Sequence, residues 1–215
     1  MLKNVYFDHD GGIDDLASLF LLLQMDHVKL VGVATVNADS YLLPSIAASR
    51  KIIARFGHGK QITVAASNAR SVHPFPKEWR LAAYFENSLP LLNEHPAVKT
   101  KLVKEPAYLD LIHKLTAARE PVTLLFTGPL TDLALALEAE PAISQKIERL
   151  IWMGGTFLKK ENVEEPDSDG TQEWNAFWDP FAVKTVFAAN IKIDLVGLES
   201  TNNIPLTPEI RQHWG

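Results

Sequence analysis

The sequence contains no cysteine, which excludes disulfide bonds, a thiolate nucleophile and a thiolate metal site. It has no basic excess either, because 21 Lys and Arg stand against 26 Asp and Glu, for a formal net charge of -5. A general nucleic-acid-binding protein must neutralise many phosphates, so no nucleic acid partner is expected. The longest apolar stretch, residues 16–23 interrupted by Ser18, is too short to span a bilayer, so no membrane partner is expected. A small neutral or cationic ligand fits this composition better.

The length of the chain predicts its domain organisation, and the N-terminal residues predict its location in the cell. With 215 residues and 47% hydrophobic content, the chain can form one sizeable core, so residues 1–215 are expected to be a single domain. The first four residues lead into a strand without a signal-peptide pattern, which predicts a cytoplasmic protein.

Strand-like and helix-like segments alternate along the chain. The predicted strands are 5–7, 28–36, 62–66, 122–126, 150–153 and 191–196, and the predicted helices are 16–23, 44–56, 106–119, 130–139 and 180–189. Two long loops, 67–80 and 154–175, separate some of them. Such alternation predicts an α/β, Rossmann-like fold with a mostly parallel central sheet and helices on both faces.

Ligands of parallel sheets bind at the carboxyl ends of the strands. Five polar turns follow predicted strands and should share that edge: 8–15, 37–39, 127–128, 154–175 and 197–203. They form the candidate site.

The first of these turns, Asp8-His9-Asp10-Gly11-Gly12-Ile13-Asp14-Asp15, places four carboxylates between a strand and a helix. Like charges this close oppose one another's ionisation, which predicts a metal or polyol site. Helix capping is the alternative, and it could account for two of the four. Side-chain alternation along the strand predicts that His9 points away from a metal.

Four blocks of sequence occur in the order found in one enzyme family. They are the Asp-x-Asp-x-Gly-x-Asp-Asp turn, Phe126-Thr127-Gly128-Pro129-Leu130-Thr131-Asp132, Met153-Gly154-Gly155, and Glu173-Trp174-Asn175 with Asp179-Pro180 behind it. Together they resemble the inosine-uridine preferring nucleoside hydrolases, whose second block reads Thr-Gly-Pro-Leu-Thr-Asn. The resemblance runs from Tyr6 to about Leu206.

The resemblance implies a calcium-dependent N-ribohydrolase of nucleoside catabolism and purine or pyrimidine salvage, which splits ribonucleosides into base and ribose. Calcium takes oxygen ligands, and the resemblance assigns Asp10, Asp15 and the main-chain carbonyl of Thr127. Asp10 is the expected general base for a calcium-bound water. Family members form homodimers or homotetramers.

The resemblance assigns further residues to the substrate: Asp14, Asp39, Asn162, Glu173 and Asn175. Local roles compete, because Asp14 could cap a helix and Glu173 and Asn175 could make local turns. Asp39 replaces an Asn of the family pattern, which keeps an acceptor and loses a donor. Aromatic residues in the loops could stack a base or could pack in the core; they are Phe75, Trp79, Trp174 and Trp178. Base preference is not decided by the sequence.

Relatives continue beyond position 215 with a His-Asp block, so the resemblance implies a chain that is incomplete at the C-terminus. That leaves a second hypothesis, a catalytically weak or inactive relative that binds a nucleoside or ribose. A third is a haloacid-dehalogenase-like phosphatase built on the Asp-x-Asp turn. Asp14 and Asp15 argue against it, because they crowd the position that a phosphate would occupy.

Overall fold

A computed structural model describes residues 2–94, 98–157, 162–166 and 168–214. Within these residues seven strands form one sheet: β1 (Lys3–His9), β2 (Val28–Thr35), β3 (Val64–Ala66), β4 (Leu102–Pro106), β5 (Val122–Phe126), β6 (Ile147–Met153) and β7 (Ile193–Val196). Every neighbouring pair is parallel, and the spatial order is β4-β3-β2-β1-β5-β6-β7. The predicted α/β class with a parallel sheet is confirmed.

Helices connect the strands and flank the sheet. They are α1 (Ile13–Gln24), α2 (Leu42–Phe56), α3 (Ala82–Asn87), α4 (Pro90–Asn93), α5 (Ala107–Ala117), α6 (Thr131–Ala139), α7 (Trp174–Trp178), α8 (Pro180–Ala188), α9 (Leu198–Thr201) and α10 (Pro208–Trp214), with a 3₁₀ turn at Pro141–Lys146. In the described part of the chain, none of them has the length and apolar character needed to cross a membrane.

The central strand β1 shows how the core is divided. Val5 and Phe7 pack with α1 and α2 on one face of the sheet, whereas Tyr6 packs with α5, α6 and α8 on the other. This division follows from the two-residue period of a strand, and burial of both faces explains why β1 is apolar throughout its centre. The prediction of helices on both faces is confirmed.

Several elements were not predicted, among them β4, the short helices α3, α4, α9 and α10, and α7. Strand β4 was not predicted, because its sequence Leu102-Val103-Lys104-Glu105-Pro106 has charged residues and ends on proline, both of which sheets tolerate at an edge. Pro106 is thus the last residue of β4 and the N-cap of α5, rather than the first residue of a helix. The predicted loop 154–175 also gives way to α7 at Trp174.

The strand order reverses next to β1. The chain adds β2, β3 and β4 on one side of β1 and then crosses to add β5, β6 and β7 on the other. The loops that follow β1 and β5 therefore diverge, and the crevice between them is where a fold of this kind binds ligands.

Candidate active site

The turns predicted to share one edge of the sheet make direct contact. The amide of Thr127 donates to the carbonyl of Asp8 at 3.0 Å, and the amide of Ser40 donates to the carbonyl of Asp10 at 3.0 Å. The amide of Leu198 donates to the carbonyl of Gly155 at 3.1 Å. Since all strands are parallel, these loops lie at the carboxyl edge, as predicted.

The first turn is fixed by glycine and by Asp15. Gly11 has a φ of +85°, and a Cβ there would lie 2.0 Å from the Ser45 Oγ, so a side chain is excluded. Asp15 Oδ2 accepts the amides of Asp10 at 3.2 Å and Gly12 at 3.0 Å. Asp15 is the third residue of α1, and its Oδ2 accepts the amide of the N-cap residue Gly12, as the capping alternative expects. Capping therefore explains the position of Oδ2 and leaves Oδ1 unexplained.

Asp10 lies between two loops at the point where the strand order reverses. Its carboxylate is buried, and its Oδ2 accepts the amide of Asp39 at 3.3 Å. On the other side, a Cβ at Gly128 would lie only 3.1 Å from the Asp10 Cβ, so the turn after β5 packs directly on it. Burial and the charge of Asp15 raise the pKa of Asp10 well above its usual range.

Two more carboxylates lie close to Gly12. A Cβ at Gly12 would lie 2.9 Å from Asp14 Oδ1 and 2.9 Å from Asp39 Oδ2. Burial and the charges of Asp15 and Asp14 raise the pKa of Asp39 to about 6, although Arg80 opposes the shift. The crevice is therefore a concentration of negative charge that a cation would stabilise.

The oxygen atoms of the predicted metal ligands are of the kind that a hard cation prefers. The resemblance names two carboxylates, Asp10 and Asp15, and the carbonyl of Thr127, and oxygen donors of this kind are what calcium takes. Among the described side chains, no group of three His, Cys, Asp or Glu is arranged so that it could hold a metal. The donor set thus fits calcium in chemistry, and the identity of the ion remains a prediction.

Asn175 joins the ends of β5 and β6. Its Nδ2 donates to the carbonyl of Thr127 at 3.0 Å and to the carbonyl of Met153 at 3.0 Å. Both hydrogens of the carboxamide are thereby used within the protein. Asn175 therefore lies at the carboxyl edge of the sheet, and its predicted contact with the substrate stays a prediction.

Glu173 caps α7 and holds the loop after β6. Its carboxylate accepts the amides of Asn175 at 3.0 Å, Ala176 at 3.1 Å and Gly155 at 2.7 Å. Burial raises the pKa of Glu173, and these three hydrogen bonds oppose the shift. These contacts are the local turn contacts that were considered as the alternative role of Glu173. The predicted contact of Glu173 with the substrate stays a prediction.

Asn162 lies beside the aromatic cluster of the loops. Its side chain is exposed, and its Oδ1 accepts the amide of Trp174 at 3.1 Å. Phe75, Trp174 and Trp178 are buried, which supports packing as their role. Trp79 differs: its side chain is 53% exposed, and its ring meets Trp174 edge-on with centroids 5.6 Å apart.

Arg80 is a residue of the site that the sequence did not reveal. Its Nε donates to the carbonyl of Ala38 at 2.9 Å, and its Nη2 donates to the carbonyl and the Oδ1 of Asn37 at 3.1 and 2.6 Å. Its guanidinium lies 4.5 Å from the centre of the Tyr41 ring. Arg80 thereby fastens the loop 67–80 to the segment that carries Asp39. Partners some 40 residues away leave no local signal in the sequence.

His9 faces the layer between β1 and α2, on the same side of the strand as Phe7. The ring is completely buried and stacks on Phe7 at 4.9 Å. Its Nε2 lies 3.2 Å from Ser49 Oγ, and its Nδ1 lies 4.0 Å from Asp15 Oδ2. His9 is therefore closer to the first turn's carboxylates than alternation alone suggested.

A second pair of carboxyl groups is buried beneath the site. Asp8 and Asp132 are each 1% exposed, and within the described residues neither oxygen of Asp8 has a hydrogen-bond partner. Burial and the neighbouring Asp132 raise the pKa of Asp8 well above its usual range. Burial raises the pKa of Asp132 to about 6. These groups store unfavourable electrostatic energy when they are ionised.

Comparisons with known proteins identify relatives of this chain. The chain is 59% identical to an inosine-uridine preferring nucleoside hydrolase from Bacillus anthracis, whose crystal structure it matches with a TM-score of 0.97 over 99% of this chain and 70% of that one. It is 28% identical to the inosine-uridine preferring nucleoside hydrolase of Leishmania major, over 99% of this chain and 65% of that protein. It is also 28% identical to a probable uridine nucleosidase 1 of Oryza sativa subsp. japonica, over 94% of this chain and 60% of that protein.

The chain thus spans 60 to 65% of the length of these two curated relatives. A sequence model of one family, described as inosine-uridine preferring nucleoside hydrolase, matches residues 5–215. That range includes every block on which the resemblance rested. The chain belongs to the inosine-uridine preferring nucleoside hydrolase family.

Proposed function

We propose that this chain carries the catalytic crevice of a nucleoside N-ribohydrolase, which splits a ribonucleoside into a free base and ribose. The observation that carries the proposal is the position of Asp10, buried between the loops after β2 and β5 where the strand order reverses. Membership of the nucleoside hydrolase family supplies the reaction class. A phosphatase built on the same turn is disfavoured, because Asp14 and Asp39 add negative charge where a phosphate would bind.

In the proposed reaction, a water molecule attacks the anomeric carbon while the bond to the base nitrogen breaks. Asp10 accepts the proton of that water, and the base leaves with the electron pair of the broken bond. A calcium ion held by Asp10, Asp15 and the Thr127 carbonyl would supply Lewis acidity and would orient the ribose diol.

The remaining acceptors would stabilise the positive charge that develops on the sugar. Asp14 and Asp39 suit this role best, because an oxygen of each lies close to Gly12 at the crevice. Asn175 would contribute Oδ1, since its nitrogen is used by Thr127 and Met153. Glu173 and Asn162 would line the sugar from the loop after β6. Of the four loop aromatic residues considered above, Trp79 is the one with an exposed ring, so base stacking is assigned to it.

The experiment is an assay of reducing-sugar release from inosine, uridine and cytidine, with calcium and with EDTA. We expect release that needs calcium, and its loss in Asp10→Asn. Asp26→Asn is the matched control, because it removes one exposed carboxylate outside the crevice and should leave release unchanged. Release by Asp10→Asn at the rate of the parent chain would contradict the role of Asp10.

A second candidate function is nucleoside or ribose binding with little turnover. It is favoured by the finding that the described side chains do not by themselves form a three-residue metal group. Calorimetry would distinguish the two: heat of nucleoside binding without any sugar release, in excess calcium, supports the binding protein. Homodimers or homotetramers are also proposed from the family resemblance, and analytical ultracentrifugation would test them.

A further inference from the structure

A cavity of about 430 Å³ lies at the amino ends of β3 and β4. Residues 59–63 lead into β3 and residues 98–101 lead into β4, and both segments line the cavity together with α2 and α4. Because the strands are parallel, the crevice and this cavity lie at opposite edges of the sheet. The cavity is therefore separate from the proposed catalytic site.

The inner lining of the cavity is apolar and belongs to the core. Ile53, Ile62 and Leu92 line it, and each is at most 8% exposed. Lys51 contributes to the wall, because its Nζ donates to the carbonyl of Asn87 at 2.9 Å and to Oδ1 of Asn93 at 2.6 Å. These two hydrogen bonds join α2 to the ends of α3 and α4.

Two further contacts from α2 hold the other parts of the wall. Arg55 Nη2 donates to Glu94 Oε2 at 3.0 Å, which pairs the charge of Arg55 and fastens the end of α4. Arg50 Nε donates to the carbonyl of Thr100 at 2.8 Å, and Thr100 is buried. The segment that leads into β4 is thereby fixed to α2. The cavity is a part of the packed structure, bounded by cross-linked elements.

The lining of the cavity carries unbalanced positive charge. None of its described residues is Asp or Glu, and five are basic: Lys51, Arg55, Lys60, Lys99 and Lys101. Lys60 Nζ has a neutral partner, the carbonyl of Leu23 at 3.3 Å. In the part of the chain that the structure describes, Lys99 and Lys101 make no hydrogen bond or ion pair. Like charges around one cavity repel one another, so an anion would stabilise the arrangement.

We propose that this cavity binds a small phosphorylated organic molecule. Its phosphate group would lie against Lys60, Lys99 and Lys101, and its apolar part would lie against Ile53 and Ile62. A phosphate ester carries nearly two negative charges at neutral pH, which suits several ammonium groups better than a single carboxylate does. The volume is in the range of small-molecule sites.

A nucleic acid is disfavoured as the ligand, because it needs an extended basic surface and the whole chain has a formal net charge of -5. The inference does not rest on the proposed function, since it uses neither calcium nor any residue of the crevice.

Calorimetry of the whole chain with three probes tests the ligand class, without calcium. Phenyl phosphate has an apolar ring and a phosphate group but no ribose diol. Benzoate keeps the ring with a single charge, and inorganic phosphate keeps the charge without the ring. We expect phenyl phosphate to bind with a Kd below about 1 mM, at least about 5-fold tighter than either of the others.

Two double variants test the location. Replacing both Lys99 and Lys101 by Ala should weaken phenyl phosphate binding at least about 10-fold, because charged hydrogen-bond donors are lost. Replacing both Lys77 and Lys184 by Ala is the matched control, since it removes two exposed lysines outside the cavity and should leave the affinity unchanged. Circular dichroism checks that both variants fold.

NMR shift mapping provides an independent readout. In ¹H–¹⁵N spectra, phenyl phosphate should shift the backbone amides of Lys60, Gln61 and Lys101. No binding, shifts confined to other regions, or equal weakening in the two double variants would overturn the proposed site. Benzoate binding as tightly as phenyl phosphate would overturn the phosphate preference, and inorganic phosphate doing so would overturn the role of the apolar lining. None of these outcomes depends on nucleoside hydrolysis.

Discussion

Asp132→Asn is expected to stabilise the protein in a way that depends on pH. Asp132 is buried beside Asp8 at the start of α6, where the family's turn has Asn. Its pKa of about 6 in the folded chain lies above the ordinary 3.8. The folded protein therefore holds a proton that the unfolded chain has released, so stability falls as pH rises from about 4 through 6. Replacing the carboxyl group by an uncharged amide removes this cost.

The size of the effect follows from the two pKa values. At pH 8 the carboxyl group is ionised in both states, and a difference between 3.8 and about 6 amounts to about 3 kcal/mol of lost stability. At pH 4 the unfolded chain is itself largely protonated, and the same group costs about 0.5 kcal/mol. The gain from Asp132→Asn should therefore grow by about 2.5 kcal/mol between these two pH values.

Urea denaturation followed by tryptophan fluorescence measures this gain, with EDTA present so that no cation contributes. Unfolding of the parent chain and of Asp132→Asn is compared at pH 4 and pH 8. Asp26→Asn, an exposed change of the same chemistry, should alter stability little at either pH. A gain from Asp132→Asn that is equal at both pH values, or a loss at pH 8, would refute the reasoning.

Three further predictions concern the crevice. Gly12→Ala places a Cβ 2.9 Å from oxygens of Asp14 and Asp39 and should lower nucleoside hydrolysis about 100-fold; unchanged rates would show that these carboxylates can move without cost. Trp79→Ala removes an exposed ring and should raise the KM for nucleosides about 5- to 100-fold with little change in kcat, and an unchanged KM would rule out stacking. Asn175→Ala leaves two carbonyl oxygens without their donor and should lower the free energy of unfolding by about 2 kcal/mol in urea titrations; no loss would mean that water replaces the amide.

Much of the fold follows from local patterns in the sequence. Strand β1, the glycine turn and the apolar helix α1 after it are adjacent in sequence, so their succession could be predicted. The shared edge of the polar turns could also be predicted, because parallel strands bring their carboxyl ends together. Strand β4 escaped prediction, since an exposed edge strand lacks the apolar run that marks a buried one.

The contacts within the site could not be predicted, because they join residues far apart in sequence. Asn175 and Thr127 are separated by 48 positions, and Arg80 and Asn37 by 43. The pattern around Glu173 indicated a loop, whereas the structure shows a carboxylate capping α7 and holding Gly155. Alternation predicts only that His9 points away from a metal, and the nearness of His9 to Ser49 depends on how α2 packs.

The attachment of Arg80 bears on the thermodynamics of ligand binding. Arg80 follows Trp79 directly, and its guanidinium and its carbonyl are both bonded to residues 37–41. The conformational entropy of this segment is therefore lost when the protein folds rather than when a ligand arrives. A nucleoside that stacks on Trp79 would meet a preorganised surface, so more of its contact energy would appear as affinity.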